Sequence, residues 1–364
     1  MIIAINATAA FKQPRTGVEE YTYQLLKHLA GLSEAQKHHF LLYTPQAQEL
    51  GFNLPENFEI KELKFDLGFF KKPLPMWTQV RLAVALAQQK PDSLLIPVHV
   101  LPFLRPQNSV VVIHGLEYEY YPQMYPFRHL KYLRASTKYA AKKAKKIITV
   151  SENTKKDLID FYGIDSEKIK VVYHGLSQPQ AMTKIDSSAE ISPYFLYLGR
   201  LELKKNIEGL LKAFQFLKKE KKLPHKLVLA GPAGYGYKKI LSQIRECQDV
   251  FRLSYVSESN KWWLLKNASV FCLPSFYEGF GLPVLEAQMM ETPVVTSNIS
   301  SMPEVAGQGA LLIDPNKTEE IAEALGEAVS NDDLKEGLIQ KGLKNVERFS
   351  WSKCAKETLD ILER

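Results

Sequence analysis

The sequence predicts an α/β protein built from two doubly wound, Rossmann-like domains. Three observations carry that prediction. The chain has 364 residues, 45% of them hydrophobic, enough for two domains with cores of their own. Short apolar runs of strand length alternate with stretches of helical periodicity, and the rhythm runs through the chain twice. Between the two passes, residues 176–192 turn polar and irregular, with Pro179, Asp186, Ser187 and Ser188, the composition of a linker. The expected divisions are 1–177, 178–349 and a final helix over 350–364.

Residues 2–5 form the first apolar run, followed by a loop holding Pro14, Arg15, Thr16 and Gly17. Over 18–30, Val18, Tyr21, Leu25, Leu26 and Leu29 fall on one helical side. Strands are expected over 39–44, 58–63, 94–98 and 109–114, with a helix from about Pro75 to Gln89. A long helix is predicted over 127–146, then a strand over 147–150. Ser151 suits an N-cap for a helix over 152–162, and a strand follows over 170–173. The second pass opens with a strand over 194–198 and a helix from about 206 to 219. Further strands are expected over 226–230, 251–256 and 269–273. Helices are expected over 318–329 and 332–349, and from Ser350 to the end.

The formal net charge is +7. That balance admits nucleic acid, anionic lipid or phosphorylated substrates as partners. No paired RNP aromatics or zinc-finger spacing point to nucleic acid. Lys138, Lys142, Lys143, Lys145 and Lys146 gather near the end of the 127–146 helix. Lysines there suit a helix C-terminus and a solvated face; the functional alternative is contact with anionic lipid or a phosphorylated acceptor. Three widely spaced cysteines, Cys247, Cys272 and Cys354, give no zinc or disulfide pattern. They suit a reducing compartment, and Cys272 reads as core. No apolar run reaches membrane-spanning length, and the opening MIIAINA enters a strand without a basic leader. The expected location is cytoplasmic, with the lysine patch as a possible point of contact with the inner membrane face.

The chemistry concentrates in residues 274–309, PSFYEGFGLPVLEAQMMETPVVTSNISSMPEVAGQG. Glu278 and Glu286 are separated by Gly279, Gly281 and Pro283, which exclude one continuous helix through both acids. Pro283 suits a first helical turn, so a helix is predicted from Leu282 to about Met290. Strand, glycine-rich turn and helix is the layout that aims backbone N–H groups at an anion. The amides of Phe280, Gly281 and Leu282 could cradle a phosphate, and Glu286 could take ribose hydroxyls. On spacing alone, solvated acids around a turn explain the pattern as well. A second feature is GRLELKKN, residues 199–206, where Arg200 and Lys205 sit at a strand's expected carboxyl end. Two such cations can clasp a diphosphate. In a lysine-rich chain an ordinary surface loop is an even alternative.

The 274–309 stretch closely resembles the E-x7-E signature of the retaining family 4 glycosyltransferases, which have the GT-B fold. The likeness continues through PVVTSN (293–298), PEVAG (303–307) and ALLIDP (310–315). YLGRLELKKNIEGLLKAF resembles the family's diphosphate-binding loop, and Arg200 and Lys205 match its two cations. LSYVSESNKWWLLKNAS resembles the base-holding segment, with Val256 at the position whose backbone meets the base. Trp262 and Trp263 suit packing better than stacking. PRTGVEEYTYQLLKHLA resembles the opening segment, where Gly17 lets the loop approach donor phosphates or acceptor. VVVIHGLEYEYYPQMYP resembles the strand–His–loop segment, which sets His114 near the transferred sugar. The aspartate usual after that histidine is Gly115 here, and Glu117 stands two residues on. Glu291 replaces a usual glycine, so its turn should carry strain or differ.

The resemblance implies a GT-B enzyme with two domains facing each other across a cleft. It would move a hexose, with the resemblance leaning toward mannose, from a nucleotide-diphosphate sugar to a saccharide or lipid-linked saccharide acceptor with retention. Arg200, Lys205, Glu278 and His114 would act in catalysis. Gly17, Val256, Phe280, Gly281, Leu282 and Glu286 would bind substrate. No metal or resident cofactor is expected, and the co-substrate implied is GDP-mannose. Two rival classes share the fold: a sugar-nucleotide epimerase and a non-catalytic nucleotide-sugar-binding module. The first would turn over without an acceptor, and the second would not turn over at all.

Overall fold

Both expected sheets form, and every strand pair in them is parallel. The computed structural model describes residues 1–64, 77–186 and 188–364. The chain divides into one unit of residues 1–175 with 349–364 and another of residues 176–348.

The first unit holds β1 (Ile2–Asn6), β2 (His39–Thr44), β3 (Phe58–Glu62), β4 (Ser93–Ile96), β5 (Ser109–Ile113), β6 (Lys146–Thr149) and β7 (Ile169–Val171). Their spatial order is β3-β2-β1-β4-β5-β6-β7. Strand order reverses between β1 and β4, the point where doubly wound sheets open a crevice at their carboxyl edge. Helices α1 (Gly17–Ala30), α2 (Ala83–Gln89), α3 (Glu117–Tyr120), α4 (Phe127–Lys143) and α5 (Glu152–Tyr162) make the connections. The central strands β4 and β5 are buried along their whole length, as sheets covered on both faces require. Ser151 caps α5 as expected, its Oγ accepting from the Thr154 N–H at 3.1 Å.

Several boundaries differ from expectation; the strand expected over 94–98 ends at Ile96 and the helix expected over 332–349 ends at Val346. α4 stops at Lys143, and Lys145 and Lys146 leave it. The sheet takes that backbone instead: Lys145 N–H donates to Ser109 at 2.8 Å, and Lys146 pairs with Val110. A π-helical turn (Thr78–Leu82) precedes α2; the expected start of that helix at Pro75 lies outside the described residues. The strand expected over 251–256 runs instead over Val250–Leu253, because its neighbour ends at Ala230 and Gly231 N–H closes the ladder on Leu253.

A short helix, α6 (Ser188–Ile191), lies in the linker. The second unit then holds β8 (Tyr194–Leu198), α7 (Ile207–Lys221), β9 (Lys226–Ala230), α8 (Tyr237–Glu246), β10 (Val250–Leu253), α9 (Glu258–Asn267), β11 (Val270–Leu273) and α10 (Leu282–Met289). It continues through β12 (Val294–Ser297), α11 (Met302–Ala306), β13 (Leu311–Ile313), α12 (Thr318–Ser330) and α13 (Asp332–Val346). The order β10-β9-β8-β11-β12-β13 reverses between β8 and β11. Tyr194, Phe195, Tyr197, Phe214 and Phe271 fill this core, and Cys272 is buried among them. Glu291, after α10, takes φ +58°, a left-handed conformation unfavourable for a side-chain-bearing residue.

The last helix, α14 (Trp351–Leu362), belongs to the first unit and packs on α1. Ser350 caps it through Lys353 N–H. Gly175 lies so close under it that a Cβ there would come within 2.0 Å of the Trp351 nitrogen. His38 Nε2 meets Glu363 at 2.7 Å and ties the far end of α14 down.

Candidate functional site

In the second unit, the loops leaving β8 and β11 flank the strand-order reversal, and the predicted cations and acids lie on them. Lys205 pairs directly with Glu278 Oε1. Ser275 Oγ donates to the same oxygen at 2.8 Å. The two charged side chains are 15% and 13% exposed, so the pair is largely shielded from screening. The Glu278 backbone is held from the loop after β12. Ser300 Oγ and Ser301 Oγ donate to its carbonyl at 2.7 and 2.9 Å, and Ser301 also reaches the Phe280 carbonyl at 3.0 Å. These two serines were not singled out in the sequence. Their signal lies inside the SNISSMPE run, but nothing in its spacing shows that it folds under Glu278.

The glycine turn then delivers α10 where the sequence placed it. Gly281 is its N-cap at φ +105°, and Pro283 stands in the first turn. A Cβ on Gly281 would meet Met302 Cε at 2.3 Å, so both the dihedral and the space call for glycine. Among the described residues, the Gly281 and Leu282 N–H groups have no backbone acceptor. The Phe280 side chain is buried beneath them, 4% exposed.

Arg200 follows β8 with an exposed side chain and no ion pair among the described residues. Its carbonyl accepts from the buried Tyr197 hydroxyl at 2.9 Å, and its stem lies against Gly234, where a Cβ would come within 2.7 Å of Arg200 Cγ. The loop ends at Asn206 in the left-handed region. Asn206 Oδ1 accepts from Gly209 N–H at 3.2 Å and its Nδ2 donates to Pro315 at 2.6 Å. That buried cap fixes where Lys205 can point. So one sheet edge holds a guanidinium with no ion pair among the described residues, an ammonium on a carboxylate, and helix-end amides with no backbone acceptor among those residues. This is a ready receptor for a diphosphate.

Glu286, one turn into α10, pairs with Lys261 of α9 at 2.8 Å, and both side chains are 15% exposed. Lys261 also meets Glu258 at 2.8 Å and lies over the Trp262 ring at 4.2 Å. Burial works to lower the Lys261 pKa, but the Glu286 and Glu258 carboxylates outweigh it and raise it. Sequence reading missed Lys261, although it stands within the quoted base-holding segment. Val256 lies just past β10, partly buried against the core. Trp262 is buried and Trp263 packs partly on the same core.

In the first unit, His114 follows β5 at the carboxyl edge. Its Nε2 lies 2.8 Å from the Pro97 carbonyl, so Nε2 carries the proton and Nδ1 is left as the acceptor. Burial pushes its pKa down to about 4, with the Pro97 hydrogen bond opposing. The imidazole is therefore neutral near pH 7. Tyr21 packs edge-on to it at 4.8 Å and His174 at 5.7 Å. Gly17 opens α1 with nothing within 4 Å of a Cβ position, an exposed approach to the helix end. Glu117 accepts from the Tyr125 hydroxyl at 3.0 Å.

The protein-family comparison matches Glycosyltransferase Family 4 over residues 15–177 and Glycosyl transferases group 1 over residues 181–345. The O-antigen chain mannosyltransferase B of Escherichia coli is 30% identical over 383 aligned positions, covering 98% of each chain. Among solved structures, the sucrose-phosphate synthase of Thermosynechococcus elongatus has a TM-score of 0.77 at 17% identity, over 100% of this chain and 98% of its own. Anabaena HepE, solved with UDP and glucose, has a TM-score of 0.72 at 16% identity, over 100% and 99%. The fold and the sequence thus define a glycosyltransferase of the GT-B class. The chain belongs to glycosyltransferase family 4.

Proposed function

We propose that this enzyme transfers mannose from GDP-mannose to a saccharide or lipid-linked saccharide, with retention of anomeric configuration. The observation that carries the sugar assignment is the alignment with O-antigen chain mannosyltransferase B over 98% of both chains. The geometry supports the chemistry. Arg200, Lys205 and the α10 amides lie on the loops of the switch edge, and in this reading they face the negative charge that grows as the sugar–phosphate bond breaks. Lys205 is shared with Glu278 before the donor binds. The arriving diphosphate would recruit the ammonium and leave Glu278 to accept hydroxyls of the sugar. Glu286 receives the ribose on a carboxylate whose orientation Lys261 sets. Neutral His114 presents Nδ1 as an acceptor for a sugar hydroxyl. In this reading the leaving phosphate oxygen takes the acceptor's proton on the face it departs from, and no carboxylate acts as a nucleophile. Protein cations supply the charge that a metal would otherwise carry. Three cysteines outside any disulfide support a reducing, cytoplasmic setting.

The test is turnover with GDP-mannose, UDP-glucose and UDP-N-acetylglucosamine on an O-antigen-type mannoside acceptor, with and without EDTA. GDP-mannose should be the productive donor and EDTA should not slow it. Saturable transfer from a UDP-sugar alone would overturn the donor assignment. Loss with EDTA and rescue by Mn²⁺ would overturn the charge assignment.

A further inference from the structure

The edge of the first sheet opposite His114 and Gly17 carries a surface that glycosyl transfer does not use. Four loops enter β4, β5, β6 and β7 there, and they bring Lys90, Arg105, Lys142, Lys143, Lys145, Lys146 and Lys168 to one end of the unit. The carboxylates on the same edge include Asp92, Asp165 and Glu167, and the end of α14 also reaches it, where Lys145 Nζ donates to the Arg364 carbonyl oxygen at 2.6 Å. Asp92 is engaged by the Ile2 N–H at 2.7 Å and Asp165 by the Glu167 N–H at 2.9 Å, so cations dominate.

Contacts join these cations into one patch. Arg105 donates to the Lys143 carbonyl at 3.3 Å and to the Tyr139 hydroxyl at 3.0 Å. Lys168 donates to the Lys142 carbonyl at 2.8 Å. Both therefore satisfy carbonyls at the C-terminus of α4, where cations are expected. The charges also act on one another: burial lowers the Lys168 pKa, and Arg105 and Lys143 lower it further.

Two apolar side chains stand beside them. Phe103 and Leu104 are 64% and 62% exposed. The Phe103 ring meets Tyr139 edge-on at 5.0 Å, and Arg105 holds the loop's carbonyls at Pro102 and Phe103. The loop is thus braced with its two apolar residues pointing outward. A groove of about 350 Å³ runs behind them between Leu86, Lys90 and Arg105.

We propose that this edge docks the enzyme on an anionic lipid surface. Phe103 and Leu104 enter the interface while the surrounding lysines and Arg105 meet lipid phosphates. Neither element suffices alone, since two apolar side chains bind a bilayer weakly and a polybasic patch without them is readily screened. The occupant is argued from charge complementarity together with the apolar pair. An acidic protein partner would also suit the charge, and the vesicle test below separates the two.

The experiment is co-sedimentation with vesicles of phosphatidylcholine, alone or with about 30% phosphatidylglycerol as the anionic lipid. The wild-type protein should bind the anionic vesicles at least tenfold more tightly than the neutral ones, and lose much of that at high salt. The Phe103→Ser/Leu104→Ser and Lys142→Gln/Lys143→Gln pairs should each weaken anionic binding by about tenfold or more. A Lys238→Gln/Lys341→Gln control, on exposed lysines of the other unit, should bind as the wild type. Unfolding midpoints of all variants guard against misfolding, and among the described residues none of the substituted lysines makes an ion pair. No anionic preference in the wild type would overturn the proposal and favour a protein partner. Equal loss in the control pair would reduce the effect to general charge and overturn it as well.

Discussion

Arg200 and Lys205 should behave alike in catalysis and differently in stability, because only one of them is already paired. In Lys205→Ala the Glu278 carboxylate keeps the Ser275 hydrogen bond but loses its cation. The pair is mostly buried, so solvent recovers little of the loss. Removal of a charge-assisted bond of this kind costs roughly 1.5–3 kcal/mol. For a unit of this size that corresponds to a fall in Tm of about 3–12 °C. Arg200→Ala removes an exposed guanidinium with no ion pair among the described residues, and should change stability by no more than about 0.5 kcal/mol. In turnover, each variant loses one cation facing the leaving diphosphate. The expected loss is about 10²–10³ in kcat, or roughly 2.7–4 kcal/mol. Thermal unfolding without donor reads the first quantity, and steady-state rates with saturating donor read the second. Near-normal kcat in both variants would refute the assignment of the diphosphate site. Equal destabilisation by both would refute the account of Lys205 as the paired cation.

Three further outcomes follow from the same geometry. Titration of the nucleoside diphosphate should show a roughly 10–100-fold loss of affinity in Glu286→Gln, worth one charged hydrogen bond. Glu278→Gln frees Lys205 and should leave that affinity unchanged or higher while weakening the choice among sugars; an equal loss in both would mean the two roles are misassigned. Glu291→Gly should raise Tm. Relief of a left-handed residue at φ +58° is worth about 1 kcal/mol, against about 0.5 kcal/mol or less for its exposed 3.0 Å pair with Lys266; a lower Tm would contradict the strain argument. Stability should also fall as pH drops from about 6.5 towards 4. The folded state holds His114 neutral down to about 4, and burial lowers His174 as well, while unfolded histidine protonates near 6.5. The unfolded chain therefore binds more protons across that window, at up to ~1.4 kcal/mol per pH unit for each histidine. Denaturant unfolding of His114→Asn should show a shallower slope, and an unchanged slope would remove His114 from the account.

The sequence by itself determined the two parallel sheets, because period and strand length are local properties of the chain. Buried runs such as Val110 to Ile113 can only be inner strands, and the amphipathic 18–30 stretch can only be a helix lying on them. It also determined the start of α10 and its glycine turn, since Pro283 and Gly281 restrict dihedrals residue by residue. The strain at Glu291 was expected only from the family resemblance, in which glycine usually holds that place. Boundaries set by hydrogen bonds to another strand were not legible. Lys145 and Lys146 have helical neighbours and helical propensity, yet β5 takes their backbone. The charge partners were decided only by the tertiary structure. Nothing within 199–206 or 253–269 says that Lys205 reaches Glu278, or that Lys261 lies against Glu286. Ser300 and Ser301 hold Glu278 from another strand's loop. Such pairings depend on which strands become neighbours at the switch point, and their energies exist only once burial has removed water from around the charges.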